Sequence, residues 1–242
     1  MKKRGNRKKK RIVFAIVNVA LLLIMAACLI TTAILSNTLA SQKEASRWRG
    51  ESDMEFSQIS CFIPVDEKIG LEEVSAFRTK LTEELHKAAL DIDNDSTLFV
   101  DAWSCTGKVN VSSDNGKGEA AVIAVGGEFF DFHPIRLISG SYITQRDLMK
   151  DRVLLDEDLA WLLYGGTDIA GLSMKINGVP YMIAGVVERE QDKFSTAAYT
   201  SGRGLYMSYD GYSQLVEDAG ITCYELVMAN PVKDFALGVA KK

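Results

Sequence analysis

The sequence predicts an α+β fold in which one N-terminal transmembrane helix precedes a single mixed α/β domain of about two hundred residues. Three observations predict it. Ile12 to Leu35 contain no charged side chain, Leu71 to Leu90 repeat apolar residues at steps of three and four, and Ser173 to Val187 read as two strands around Asn177-Gly178.

The apolar run is 24 residues long, and as a helix it rises about 36 Å, enough to cross a hydrocarbon core of about 30 Å with some tilt. Residues 1–11 hold eight Lys or Arg and no acid, whereas Lys43, Arg47 and Arg49 are sparse on the other side. The positive-inside tendency then places the N-terminus in the cytoplasm and the domain outside a cell membrane crossed once. Two alternatives use the same residues. A cleavable signal peptide would cut after small residues such as Thr38 and Ala40, but its apolar segment spans about 7 to 15 residues. Met25-Ala26-Ala27-Cys28 loosely resembles a lipoprotein signal, yet Leu29 to Leu35 stay apolar where a mature lipoprotein turns polar. The uncleaved anchor is favoured, with the lipid bilayer as its first partner.

The chain has 28 basic and 32 acidic groups and is 47% hydrophobic, enough apolar content for a substantial core. With the basic tail set apart, residues 12–242 carry 20 basic against 32 acidic groups, a net charge of −12. A domain so charged repels nucleic acid and anionic lipid, so no nucleic-acid partner is expected.

Past the span, Ser36 to Glu55 is polar, lacks Pro and has one Gly, which predicts a helical stalk over 36–56. Ser57 to Pro64 is the first strand. Leu71, Val74, Phe77, Leu81, Leu85 and Ala88 or Ala89 give the next segment one apolar stripe, so it is a helix packed on a sheet. Leu98 to Trp103 and Lys108 to Val111 read as two strands, and Asp114-Asn115-Gly116 turns the chain into Glu119 to Val125. Arg152 to Leu155 forms a short strand, Asp156 caps a helix through Leu163, and Gly165-Gly166 ends it. Asn177-Gly178 supplies the two positive-φ residues of a tight hairpin. Gln191 to Gly204 reads as an exposed loop; Gly204 to Ser208 and Tyr224 to Met228 are strands around a helix at Tyr209 to Glu217.

The chemical motifs are weak. Asp91 to Ser96 starts like a calcium loop, but Ser96 stands where Gly should and Ala102 where a bidentate Glu should. His86 and His133 are the only histidines, too few for a metal triad. Ser139-Gly140-Ser141 and Ser201-Gly202-Arg203-Gly204 lack the nucleophile-elbow spacing, and Gly116-Lys117-Gly118-Glu119 lacks the rest of a phosphate or dinucleotide loop. Asp156-Glu157-Asp158 sit where a helix dipole favours acids. Cys61, Cys105 and Cys223 have no C-x-x-C spacing and read as small buried residues rather than a bridged pair. Trp103, Tyr206, Tyr209, Tyr212 and Tyr224 either line a partner surface or fill the core. No catalytic, cofactor-binding or metal residue is assigned, and no enzyme activity or cofactor is expected.

Three segments in order, Phe130 to Gly140, Val153 to Gly166 and Gly171 to Val187, resemble the MacB-like periplasmic core domain of ABC transporter permeases. The resemblance runs over about residues 10–235 and rests on apolar, Gly and turn positions. It implies a porter-like β-α-β half near 57–125, completed by a returning strand at 224–230, and an inserted β-rich half at 126–222. The expected layout is a basic cytoplasmic tail at 1–11, the span at 12–35, the stalk at 36–56, the domain at 57–235 and a tail at 236–242. The family also implies a separate ATP-binding subunit, polytopic permease chains and a dimer. Such permeases carry three further transmembrane helices after the domain, and this sequence shows none, so it is expected to be a shortened permease or an accessory relative.

Overall fold

The structure, a computed structural model, describes residues 2–38, 43–50, 54–88, 99–188 and 204–241. It divides into two units, residues 1–43 and 44–242, described here in turn.

The first unit is helix α1 (Lys2–Thr38). Its stretch Ile12–Leu35 has a mean hydropathy of 2.9 and no buried side chain, so by length and composition it can cross a membrane. The polar groups within it bond back to the helix: Asn18 Nδ2 donates to the Phe14 carbonyl at 2.8 Å, and the Thr31 and Thr32 hydroxyls donate to the Cys28 carbonyl at 2.9 and 2.8 Å. This is how polar side chains are tolerated where water is absent.

The second unit begins with α2 (Glu44–Arg49), which ends at Gly50 in the left-handed region, φ 53°. The segment expected as one stalk over 36–56 thus contains the end of α1, the separate α2 and the first residue of β1, with 39–42 and 51–53 outside the described residues. Strands β1 (Phe56–Phe62), β2 (Phe99–Ser112), β3 (Lys117–Gly127), β4 (Leu137–Gly140), β5 (Arg152–Asp156), β6 (Ser173–Ile176), β7 (Val179–Val187), β8 (Gly204–Ser208) and β9 (Cys223–Ala229) form one sheet among the described residues. The order is β1-β9-β2-β3-β8-β5-β7-β4, and β6 bridges β7 to the end of β2. The four strands at one end come from the β-α-β region and the returning strand; the four at the other come from residues 126–222.

Strand alternation gives the sheet two buried faces. One carries Trp103, Cys105, Val109, Leu205, Met207, Tyr224 and Leu226 beneath α3 (Leu71–Lys87), α5 (Glu157–Tyr164), α6 (Tyr209–Leu215) and α7 (Phe235–Ala240). The other carries Val100, Ala102, Leu154, Tyr206 and Val227 against Phe129 and Phe132 of α4 (Phe129–Phe132). α3 buries Val74, Leu81 and Leu85, three members of the stripe read from its spacing.

Several local readings hold. Asp156 Oδ1 accepts from the Leu159 N–H at 2.7 Å, and Gly165 ends α5 at φ 74°. Asn177 and Gly178 take φ 49° and 86° in the turn between β6 and β7. Two readings change. The strands expected at 98–103 and 108–111 are one 14-residue strand, β2, because Ser104 to Gly107 pair with Ile123 to Val125 and Val122 without a break. Gly107 sits mid-strand because the Tyr212 hydroxyl occupies the space a Cβ would need. Cys61, expected to be buried, is exposed; Cys105 is buried, Cys223 is half-buried, and all are free thiols. Of the loop expected over Gln191 to Gly204, residues 191–203 lie outside the described residues and Gly204 opens β8, and the acidic turn Asp91–Ser96 also lies outside them.

Candidate functional site

Strand β9 lies between β1 and β2, so its successive side chains point to opposite faces. Tyr224 and Glu225 each head a buried polar cluster there. On the α3 face, the Tyr224 hydroxyl donates to Asp101 Oδ2 at 2.7 Å, and Arg78 Nε lies 3.2 Å from the same oxygen. The Arg78 guanidinium also sits 5.8 Å from the centroid of the Trp103 ring, and Phe77 meets Tyr224 edge-on at 5.5 Å. One helical turn of α3 is thereby fastened to three strand positions.

Asp101 is 4% exposed. Burial raises its carboxyl above the ordinary 3.8, and the Tyr224 hydrogen bond and the Arg78 charge only partly offset that. Burial likewise raises the Tyr224 phenol, with the neighbouring Asp101 adding to it, so this hydroxyl stays a donor. Because the folded state holds the Asp101 proton more tightly, its contribution to stability is complete below 3.8 and is lost as pH rises through the higher folded value. Asp101→Asn keeps an acceptor for Tyr224 and cannot ionise. Its stability relative to the parent should therefore rise with pH across the acid range and then level off, as read from urea unfolding at a series of pH values. A difference that stays flat would contradict this account.

On the opposite face, Glu225 is 6% exposed and lies 2.5 Å from His133 Nε2 through Oε2, while the Ser60 hydroxyl donates to Oε1 at 3.3 Å. The His133 ring packs on Phe129 at 4.4 Å. The order is serine on carboxylate on imidazole. A hydrolytic triad needs the serine on the imidazole, so nothing in this arrangement takes the Ser60 proton.

The remaining candidates are structural. His86 is exposed on α3, Asp156 is spent on capping, and Glu157 and Asp158 occupy the first turn of α5. Burial pushes the Cys105 and Cys223 thiols up to about 12, so neither is a ready nucleophile. No group of three His, Cys, Asp or Glu side chains that could hold a metal ion exists among the described residues. Trp103, Tyr206, Tyr209, Tyr212 and Tyr224 are all buried, which settles them as core rather than partner surface. Asp101, Arg78 and Glu225 escaped the sequence reading. The available signal was an acid flanked by apolar residues, Val100-Asp101-Ala102 and Tyr224-Glu225-Leu226, a pattern that the solvent-facing position of an alternating strand also gives.

A helix able to span a membrane, joined in sequence to a sheet-rich α/β domain whose buried polar groups fasten elements together, defines a membrane-associated module built around its fold. The chain belongs to the family of MacB-like periplasmic core domains, whose sequence profile matches residues 16–236. Among solved structures it is similar to the extracellular domain of the noncanonic ABC-type transporter YknZ from Gram-positive bacteria, at 13% identity and TM-score 0.46, covering 76% of this chain and 88% of that one. It is also similar to the periplasmic region of MacB from Actinobacillus actinomycetemcomitans, at 14% identity and TM-score 0.45, covering 65% and 68%. A third similarity is to a domain of a putative permease protein from Porphyromonas gingivalis, at 17% identity and TM-score 0.40, covering 62% and 70%. No curated protein matches by sequence.

Proposed function

We propose that this chain is a membrane-anchored, non-catalytic component of an ABC-type transporter, with its N-terminus in the cytoplasm and its sheet domain outside. The observation that carries this reading is the family match over residues 16–236, which takes in both the apolar helix and the domain. ATP hydrolysis belongs to a separate subunit, and polytopic chains supply the transport path. The domain passes on conformational change, in a dimer, or contacts substrate or partner. A sheet whose two halves share continuous ladders supports the mechanical version, because β3 and β8 pair over Ala121 to Val125 and β6 pins the far half to β2 at Val111 and Ser112. Such a sheet moves as one plate rather than as two hinged lobes.

The test is an affinity pull-down of the tagged full-length chain from mild detergent, followed by identification of bound chains. The expected outcome is an ATP-binding subunit together with polytopic partners. Recovery of the folded chain alone would overturn the reading and leave a surface-anchored binding module.

A further inference from the structure

β1 is an outer strand of the sheet. It pairs with β9 alone among the described residues, in an unbroken register from Phe56 opposite Ala229 to Phe62 opposite Cys223. Just beyond its two ends, the Ile63 N–H donates to the Thr222 carbonyl at 2.8 Å and the Asn230 N–H to the Glu55 carbonyl at 2.7 Å. In an antiparallel ladder, residues alternate between facing the partner and facing away. The odd-numbered residues of β1 therefore turn their backbone groups to β9, and Ser60 and Phe62 turn theirs to the outer edge. Ser60, Cys61 and Phe62 are all exposed.

Sheets ordinarily blunt such an edge with a charge, a proline, a bulge or a covering element. The sequence of β1, FSQISCF, has no charged residue and no proline, and its register has no bulge. The edge is instead flanked by apolar surface. On the α3 face lies a groove of about 370 Å³, within the roughly 300–1,000 Å³ of ligand clefts. Ile59, Cys61 and Ile63 line it from the strand side, and Val74 and Phe77 from α3. Cys61 both lines the groove and is exposed, so the groove opens over the same stretch of β1 whose edge is bare. On the opposite face the Phe62 ring is 82% exposed.

The charged groups lining the groove are two acids, Glu67 and Glu73. Glu73 Oε2 accepts from the Gly70 N–H at 2.9 Å, and this bond holds its carboxyl below the ordinary 4.5, so it stays charged. A second copy of β1 would bring these acids no base, and residues 12–242 carry a net charge of −12 that opposes self-association. The charge complement is a basic segment of a different chain.

We infer that β1 accepts an extended segment of another polypeptide as an added edge strand, hydrogen-bonded to Ser60 and Phe62, with apolar side chains at alternate positions in the groove and a basic one against Glu67 and Glu73. The backbone bonds supply affinity, and the groove selects which side chains fit. Binding of this kind needs no ATPase, so it succeeds or fails independently of the transport role.

The test uses the full-length chain in phosphatidylcholine nanodiscs, which keep detergent out of the groove. The probe is a fluorescein-labelled, C-amidated heptapeptide, Lys-Thr-Leu-Thr-Leu-Thr-Lys, whose leucines and lysines share one face when it is extended. It should bind saturably with Kd below about 1 mM by anisotropy, and it should slow hydrogen exchange at the Ser60 and Phe62 amides by at least about tenfold. Two further peptides carry N-methyl groups on either the leucines or the threonines. One set points at β1 and the other away, so one peptide should lose binding and the other keep it. Cys61→Lys puts a rival cation and an edge charge at an exposed position, and should weaken binding at least about tenfold with thermal unfolding unchanged. Should that variant not fold, Glu67→Gln, at another exposed position, should weaken binding about twofold to fivefold. Equal affinity of the two methylated peptides, or binding that leaves the Ser60 and Phe62 amides unprotected, means an apolar cleft indifferent to backbone and overturns the proposal. So does protection of those amides that rises with protein concentration before any peptide is added, which identifies a second copy as the occupant. Absence of saturable binding below about 1 mM overturns it as well.

Discussion

Gly127→Val should cost the folded domain about 2–6 kcal/mol, the sum of a β-branched residue forced into positive φ and of overpacking against fixed backbone. Gly127 closes β3 at φ 65°, and a Cβ there would meet the Asp101 carbonyl oxygen and Ala102 Cα well inside van der Waals contact. Neither atom can move aside, since both belong to β2 at the point where Glu128 N–H donates back to the Asp101 carbonyl at 3.0 Å. Against a typical total of about 5–15 kcal/mol, the loss is large enough to deplete folded protein. Guanidinium unfolding of the full-length chain, followed by tryptophan emission, measures it. Gly165→Ala is the control: φ is 74° but nothing lies within 4 Å, so only the conformational cost of about 1 kcal/mol applies. Equal losses in the two variants would show that the close approach of β2 does not govern Gly127.

Asp156→Ala should cost about 2–5 kcal/mol by the same measurement. Asp156 is 4% exposed, and its two carboxylate oxygens serve different elements: Oδ1 caps α5 through the Leu159 N–H, and Oδ2 accepts from the Gly204 N–H at 2.6 Å. Loss of the cap is worth about 0.5–2 kcal/mol, and an unpaired buried N–H at the start of β8 about 1–3 kcal/mol. Asp156→Asn should recover roughly half, because its amide offers one acceptor where the carboxylate offers two. If Asn and Ala behave alike, the residue is not acting as a two-ended clamp.

Half of this clamp was legible in the sequence and half was not. An acid directly before an apolar helical run announces a cap through local backbone geometry alone. That the same side chain also reaches Gly204, 48 positions on, depends on β5 lying beside β8, and no local pattern encodes strand order. The Asn177-Gly178 hairpin was legible for the reason the cap was: two residues decide it. β2 was misread as two strands because Gly107 resembles a break when the tyrosine that fills its missing side chain lies more than a hundred residues downstream. The buried clusters were hidden differently. Asp101 and Glu225 look like ordinary solvent-facing positions of alternating strands until β9 is known to run between β1 and β2.

The placement of β9 also sets a timetable. β1 pairs with β9 and with no other strand among the described residues, from Phe56 opposite Ala229 to Phe62 opposite Cys223. During synthesis at about 5–20 residues per second, β1 waits on the order of 10–30 s for its partner. Through that interval both of its edges are open templates for unwanted pairing. Emergence of residues 223–229, rather than of any earlier segment, is then the event that lets β1 pair, and a ribosome stalled before Cys223 leaves β1 without its native partner.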